Sequence, residues 1–121
     1  MRRRFALLGL TLAASLAVPT PALAHAILVE STPAIGATVA PGPIALRLRY
    51  NSRIDRARSR LTLIRADRST AIIPISDEGS DDVLRAAVTL APGSYTIRWQ
   101  VLAVDGHITR GDVPIVVRAG N

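Results

Sequence analysis

Two stretches of the chain alternate apolar and polar residues with a period of two. Ile44-Ala45-Leu46-Arg47-Leu48-Arg49-Tyr50 places Ile44, Leu46, Leu48 and Tyr50 on one face and both arginines on the other. Tyr95, Ile97, Trp99 and Val101 alternate in the same way against Thr96, Arg98 and Gln100. Successive side chains of a strand point to opposite faces, so both stretches predict half-buried β-strands. Shorter β-rich runs at residues 26–29, 61–64, 71–75, 83–90 and 113–117 bring the expected strands to about seven. Turn-forming clusters at residues 33–36, 41–43, 66–69, 77–82, 92–93 and 105–106 separate them at the spacing of an all-β sandwich. No window sustains a helical period with a cap at each end, although residues 83–88 also fit a single helical turn. Trp99 is the largest expected member of a core built from the inward rows of both sheets.

One apolar stretch does not alternate. Phe5 to Val18 follows the basic cluster Arg2-Arg3-Arg4 and leads into Pro19, Pro21 and Ala22-Leu23-Ala24. A basic start, an apolar segment too short to span a bilayer comfortably and a small-residue A-x-A end predict a cleaved secretory signal peptide over residues 1–24. The competing reading of the segment is an uncleaved membrane anchor. Cleavage between Ala24 and His25 leaves a single domain, residues 25–121, of 97 residues from the original 121.

Processing changes the charge argument. The full chain has a formal charge of +6, which invites a nucleic-acid reading, but the domain keeps twelve arginines against nine acidic residues, a formal +3. Its aromatics are Tyr50, Tyr95 and Trp99, too few for a base-stacking platform. Nucleic acid is therefore not expected as a partner. Arg47, Arg49, Arg53, Arg56, Arg58 and Arg60 read as a solvated face, with an anionic-surface or partner-docking patch as the alternative. The chain has no cysteine, so its stability in an oxidising compartment must come from packing and closed backbone hydrogen bonding.

The candidate chemistry lies at two places far apart in sequence. Cleavage makes His25 the first residue, so its free α-amino nitrogen and its imidazole Nδ1 can chelate one metal ion, which no internal histidine can do. Asp105-Gly106-His107 follows the strongest strand and holds the only other histidine. One amine and two imidazoles form a nitrogen-rich, roughly planar donor set, the preference of Cu(II). Zinc accepts two histidines and an aspartate, but its usual tetrahedral sites do not use a terminal amine. The single methionine, Met1, leaves with the signal peptide, so a soft-ligand Cu(I) site is not expected. Each piece also has a purely structural reading. Asp-Gly is a common hairpin turn signal, and a lone histidine after it is most often an exposed loop residue.

From His25 to about Arg118 the sequence resembles the CopC family of periplasmic copper-resistance proteins. The resemblance runs through His25, Ser31-Thr32-Pro33-Ala34 with Gly36, Tyr50, Leu90 with Pro92-Gly93 and Tyr95, then Trp99, Asp105-Gly106-His107 and Gly111. It implies a Greek-key β-sandwich, cupredoxin-like or immunoglobulin-like, that binds one Cu(II). His25 would supply amine and imidazole, His107 a second imidazole, and Asp105 a carboxylate that either coordinates weakly or orients an imidazole. It also implies delivery to a CopD-like inner-membrane protein, the processed chain itself not being membrane-embedded. Three departures stand out. The Met-rich loop that holds Cu(I) in some members is missing. Asn51-Ser52-Arg53 stands where some members carry an acidic residue, leaving that position to water, and Ile108 replaces a frequent proline.

The expected function is sequestration or carriage of copper without catalysis. A histidine-brace oxidative enzyme, as in lytic polysaccharide monooxygenases, is the alternative with the same donors, but a domain of this size with three aromatics leaves little room for a substrate face. A structural or adhesive sandwich with incidental metal binding is the third reading.

Overall fold

A computed structural model describes residues 25–120; the expected signal peptide lies outside them. Eight strands form: β1 (Leu28–Thr32), β2 (Thr38–Val39), β3 (Gly42–Tyr50), β4 (Ile54–Arg65), β5 (Thr70–Ile73), β6 (Val83–Leu90), β7 (Gly93–Ala103) and β8 (Ile108–Val117). They make two sheets, one ordered β1-β3-β6 and the other β2-β8-β7-β4-β5. All neighbours are antiparallel except β2 and β8. This is the all-β sandwich that the alternation predicts. Among the described residues no helix is long and apolar enough to cross a membrane.

The inward rows meet as expected. Ile44, Leu46, Leu48 and Tyr50 of β3 are buried, as are Ile97, Trp99 and Val101 of β7. Val113, Ile115 and Val117 of β8, with Leu61 and Leu63 of β4, complete the wall contributed by the larger sheet. Tyr50 and Trp99, one from each sheet, pack edge to face with ring centroids 5.2 Å apart. Burial pushes the Tyr50 phenol well above its ordinary pKa, so it stays neutral.

Three local expectations differ from the structure, and at a fourth place the strand reading holds over its helical-turn alternative. β2 is a two-residue parallel strand beside β8, too short to leave a period in the sequence. The first strand begins at Leu28 instead of residue 26, because the backbone at residues 26 and 27 bonds to a turn and a side chain instead of a ladder. Residues 83–88 are strand throughout, paired with β3 from Arg49↔Val83 to Ile44↔Val88. β4 runs for 12 residues, well beyond the expected 61–64, with its register against β7 shifted between Asp55 and Arg60.

That irregularity corrects the solvated-arginine reading at one position. Arg56 turns onto the β5–β6 loop, where its guanidinium donates to the carbonyls of Asp77 at 3.0 Å, Gly79 at 3.2 Å and Ser80 at 2.7 Å. Arg47 and Arg49 remain at the surface and share Glu30 at 3.3 and 3.1 Å. Such exposed pairs contribute little to stability.

Candidate metal centre

The β7–β8 connection is built around a glycine. Gly106 N–H donates to Ala103 O at 2.8 Å and Ala103 N–H donates to His107 O at 2.8 Å, with Gly106 at φ 94°. This is a three-residue loop whose last position is left-handed, a conformation that favours a residue without Cβ. Asp105 and His107 are thereby held on either side of a sharp turn. Asp105 Oδ1 accepts the His107 backbone N–H at 3.1 Å, and Oδ2 lies 3.2 Å from His107 Nδ1.

The His107 N–H is the main reason that the Asp105 carboxyl sits below its usual pKa, and the imidazole adds to the effect. The side chain of His107 is 57% exposed and that of Asp105 35%. With Nδ1 facing the Asp105 carboxylate at 3.2 Å, Nε2 is the ring nitrogen of His107 left for a metal.

His25 reaches the same end of the sandwich along a pinned segment. Ile27 N–H donates to Asn51 Oδ1 at 2.8 Å, and Asn51 N–H donates back to Ile27 O at 3.0 Å. Thr109 Oγ1 donates to Ala26 O at 2.8 Å, and the Ala26 side chain is buried. The result brings the rings of His25 and His107 to 5.0 Å between centroids, inclined at 53°. With metal–nitrogen bonds of about 2.0–2.1 Å, two imidazoles on one ion keep their centres within about 6 Å, so the pair fits a shared ion.

Among the described residues no group of three or more His, Cys, Asp or Glu gathers as a ready-made cage. The geometry offers two imidazoles and a carboxylate 3.2 Å from one of them. Ile27, Val104 and Ile108, all exposed, border these residues in sequence.

Asn51 and Thr109 are the positioning residues that sequence reasoning missed. Their role depends on hydrogen bonds to backbone far away in the chain, which no local pattern announces. Asn51 opens the Asn51-Ser52-Arg53 stretch in which some family members carry an acidic residue, and it grips the arm that carries His25. Asn51→Ala should cost about 0.5–1.5 kcal/mol in urea unfolding and speed amide exchange at Ile27. Unchanged exchange there would show that the arm is held by something else.

A two-sheet sandwich with a pinned N-terminal arm and paired imidazoles at one end defines a narrow class. The chain belongs to the CopC family: the CopC domain profile matches residues 28–118. Protein YobA of Escherichia coli (strain K12) is 31% identical over 119 residues, which span 95% of this chain and 94% of that one. The crystal structure of CopC from Methylosinus trichosporium OB3b is similar with a TM-score of 0.71 at 26% identity, covering 80% of this chain and 97% of that chain. PcoC, a methionine-rich copper resistance protein from Escherichia coli, has the same fold at 20% identity, with a TM-score of 0.59 over 78% of this chain and all of its own (100%).

Proposed function

We propose that the processed chain binds one Cu(II) at this end of the sandwich and sequesters or carries it in the periplasm. His25 supplies its α-amine and imidazole, His107 supplies Nε2, and Asp105 orients His107 through Nδ1. Membership of the CopC family supports copper as the cargo, and PcoC, which shares the fold, is itself a copper resistance protein. The observation that carries the residue assignment is the 5.0 Å approach of two imidazoles that lie 82 positions apart in sequence, at 25 and 107. Nitrogen donors in a roughly planar set favour the cupric ion. The resemblance supports a CopD-like inner-membrane protein as the recipient, and the exposure of His107 leaves the cargo accessible to it. Binding and release, without turnover, are the whole activity in this reading.

Titration of Cu(II) into correctly processed protein tests it. One equivalent bound more tightly than about micromolar, with an axial, nitrogen-rich electron paramagnetic resonance spectrum, is expected. Weaker binding, or copper-dependent peroxide formation driven by ascorbate, would overturn the assignment. Intact mass with and without copper reads the cleavage position and stoichiometry together.

The proposed site predicts a pH dependence of a definite sign. A terminal amine with a pKa of about 7.7–8.0 must lose its proton to bind, so this donor alone lowers affinity by about tenfold per pH unit below that range. Asp105 does not offset the loss, because its depressed pKa keeps it charged as the amine protonates. Competition with a chelator of known proton dependence, from pH 8 to pH 6, measures the slope. A flat profile would remove the amine from the ligand set.

A further inference from the structure

A second cluster of charge lies on the larger sheet, toward the end of β7 away from His107. Arg65 closes β4, Arg68 sits in the β4–β5 turn and Arg98 lies on β7; with Thr70, Thr96 and Asp112 they line one surface concavity of about 410 Å³.

The turn has an unusual occupant. Arg65 N–H donates to Ser69 O and Arg68 N–H donates to Arg65 O, each at 2.9 Å, repeating the pattern that closes the Ala103–His107 loop. In that loop the left-handed position belongs to Gly106; here it belongs to Arg68 at φ 76°. A residue with a Cβ bears a steric cost there that glycine does not. A non-glycine residue held in this conformation points to a side chain that is used.

The charges around it are unevenly compensated. Arg98 is committed to Asp112 through two bonds, of 2.8 and 2.9 Å. The nearby acid, Asp67, accepts from the Ser69 amide and hydroxyl, and Ser69 is the main cause of its lowered pKa. Among the described residues no carboxylate lies within ion-pair distance of Arg65 or Arg68. Arg65 donates to Ser69 Oγ at 3.1 Å, so its remaining N–H donors and the Arg68 guanidinium, in a concave wall with hydroxyls, match the oxygens of a phosphate group, and Asp112 in the same wall favours a singly charged one.

We propose that Arg65, Arg68 and Arg98 form a binding site for a singly charged phosphate, either the headgroup of an anionic phospholipid or free phosphate. The site is separate from the metal centre, so binding at it leaves the His25–His107 end exposed.

The test uses isotope-labelled protein of residues 25–121, titrated with inorganic phosphate at constant ionic strength set with chloride, and sedimentation with phosphatidylglycerol or phosphatidylcholine vesicles. Saturable shifts confined to the β4–β5 turn and Thr96–Arg98 are expected with phosphate. Co-sedimentation with phosphatidylglycerol alone identifies the headgroup as the source; phosphate shifts without it identify the free ion. Arg68→Gly should weaken binding by about fivefold or more while raising the thermal midpoint by a few degrees, because glycine relieves the backbone. Arg110→Gln removes the same unit of charge outside the concavity and should leave binding unchanged. The proposal falls if neither phosphate nor phosphatidylglycerol binds saturably, if Arg68→Gly binds as the parent does, or if Arg110→Gln weakens binding equally.

Discussion

One alanine placed ahead of the processed His25 is expected to lower Cu(II) affinity by more than about a hundredfold, exceeding the 10–100-fold typical of losing an outer-sphere partner. The extra residue turns the terminal amine into an amide. It abolishes the chelate ring while leaving the His25 imidazole in place. His107→Ala should cost a comparable factor by a different route, removing the second imidazole and leaving Asp105 without the ring it touches at 3.2 Å. Neither change should disturb the fold. His107 is more than half exposed, and the arm behind His25 is held from Ile27 and Ala26 through Asn51 and Thr109. Affinity by chelator competition, circular dichroism and the cupric spectrum together give the answer. An extended protein with unchanged affinity and spectrum would mean that the amine is not a ligand. An unchanged His107→Ala would mean that the two rings meet for reasons unrelated to copper.

The strands that could be read in advance are those with one face in the core and one in water. β3 and β7 alternate because each pleat puts every second residue inside, and their turns are marked by Pro-Gly and Asp-Gly. β2 is stabilised by its neighbour β8 and carries no period of its own. In β4 the register shift between Asp55 and Arg60 breaks the alternation, so Arg56 looks like part of a solvated face although it holds the β5–β6 loop. The candidate site divides along the same line. Asp105-Gly106-His107 is a local turn with local signals, and His25 stands out because the expected cleavage signal ends beside it. That these two places meet follows from the topology of the sandwich. Asn51 and Thr109 could be identified only from hydrogen bonds that close over long stretches of chain.

Trp99→Ala is expected to destabilise the domain by about 3–5 kcal/mol, and the loss should reveal why residue 111 is glycine. Trp99 is only 6% exposed and packs edge to face on Tyr50. Its indole also covers Gly111, directly opposite on β8: a Cβ built there would overlap the ring at Cζ2 and Cε2. Gly111→Ala alone should therefore behave as an overpacking change costing about 1–3 kcal/mol, since an interior near crystal density has no slack to absorb a methyl group. On the Trp99→Ala background the same methyl group meets open space, so its cost should nearly vanish. The double variant should then be more stable than the sum of the two single changes by most of the Gly111→Ala penalty, a coupling well above the error of a double-mutant cycle. The indole Nε1 is buried without a hydrogen-bond partner. Trp99→Phe removes that unsatisfied donor while keeping an aromatic ring, so it should cost much less than Trp99→Ala. Urea unfolding of the five proteins supplies every term. If Gly111→Ala proves as costly without the indole as with it, glycine is needed at 111 for its backbone, and the ring is not what excludes a side chain.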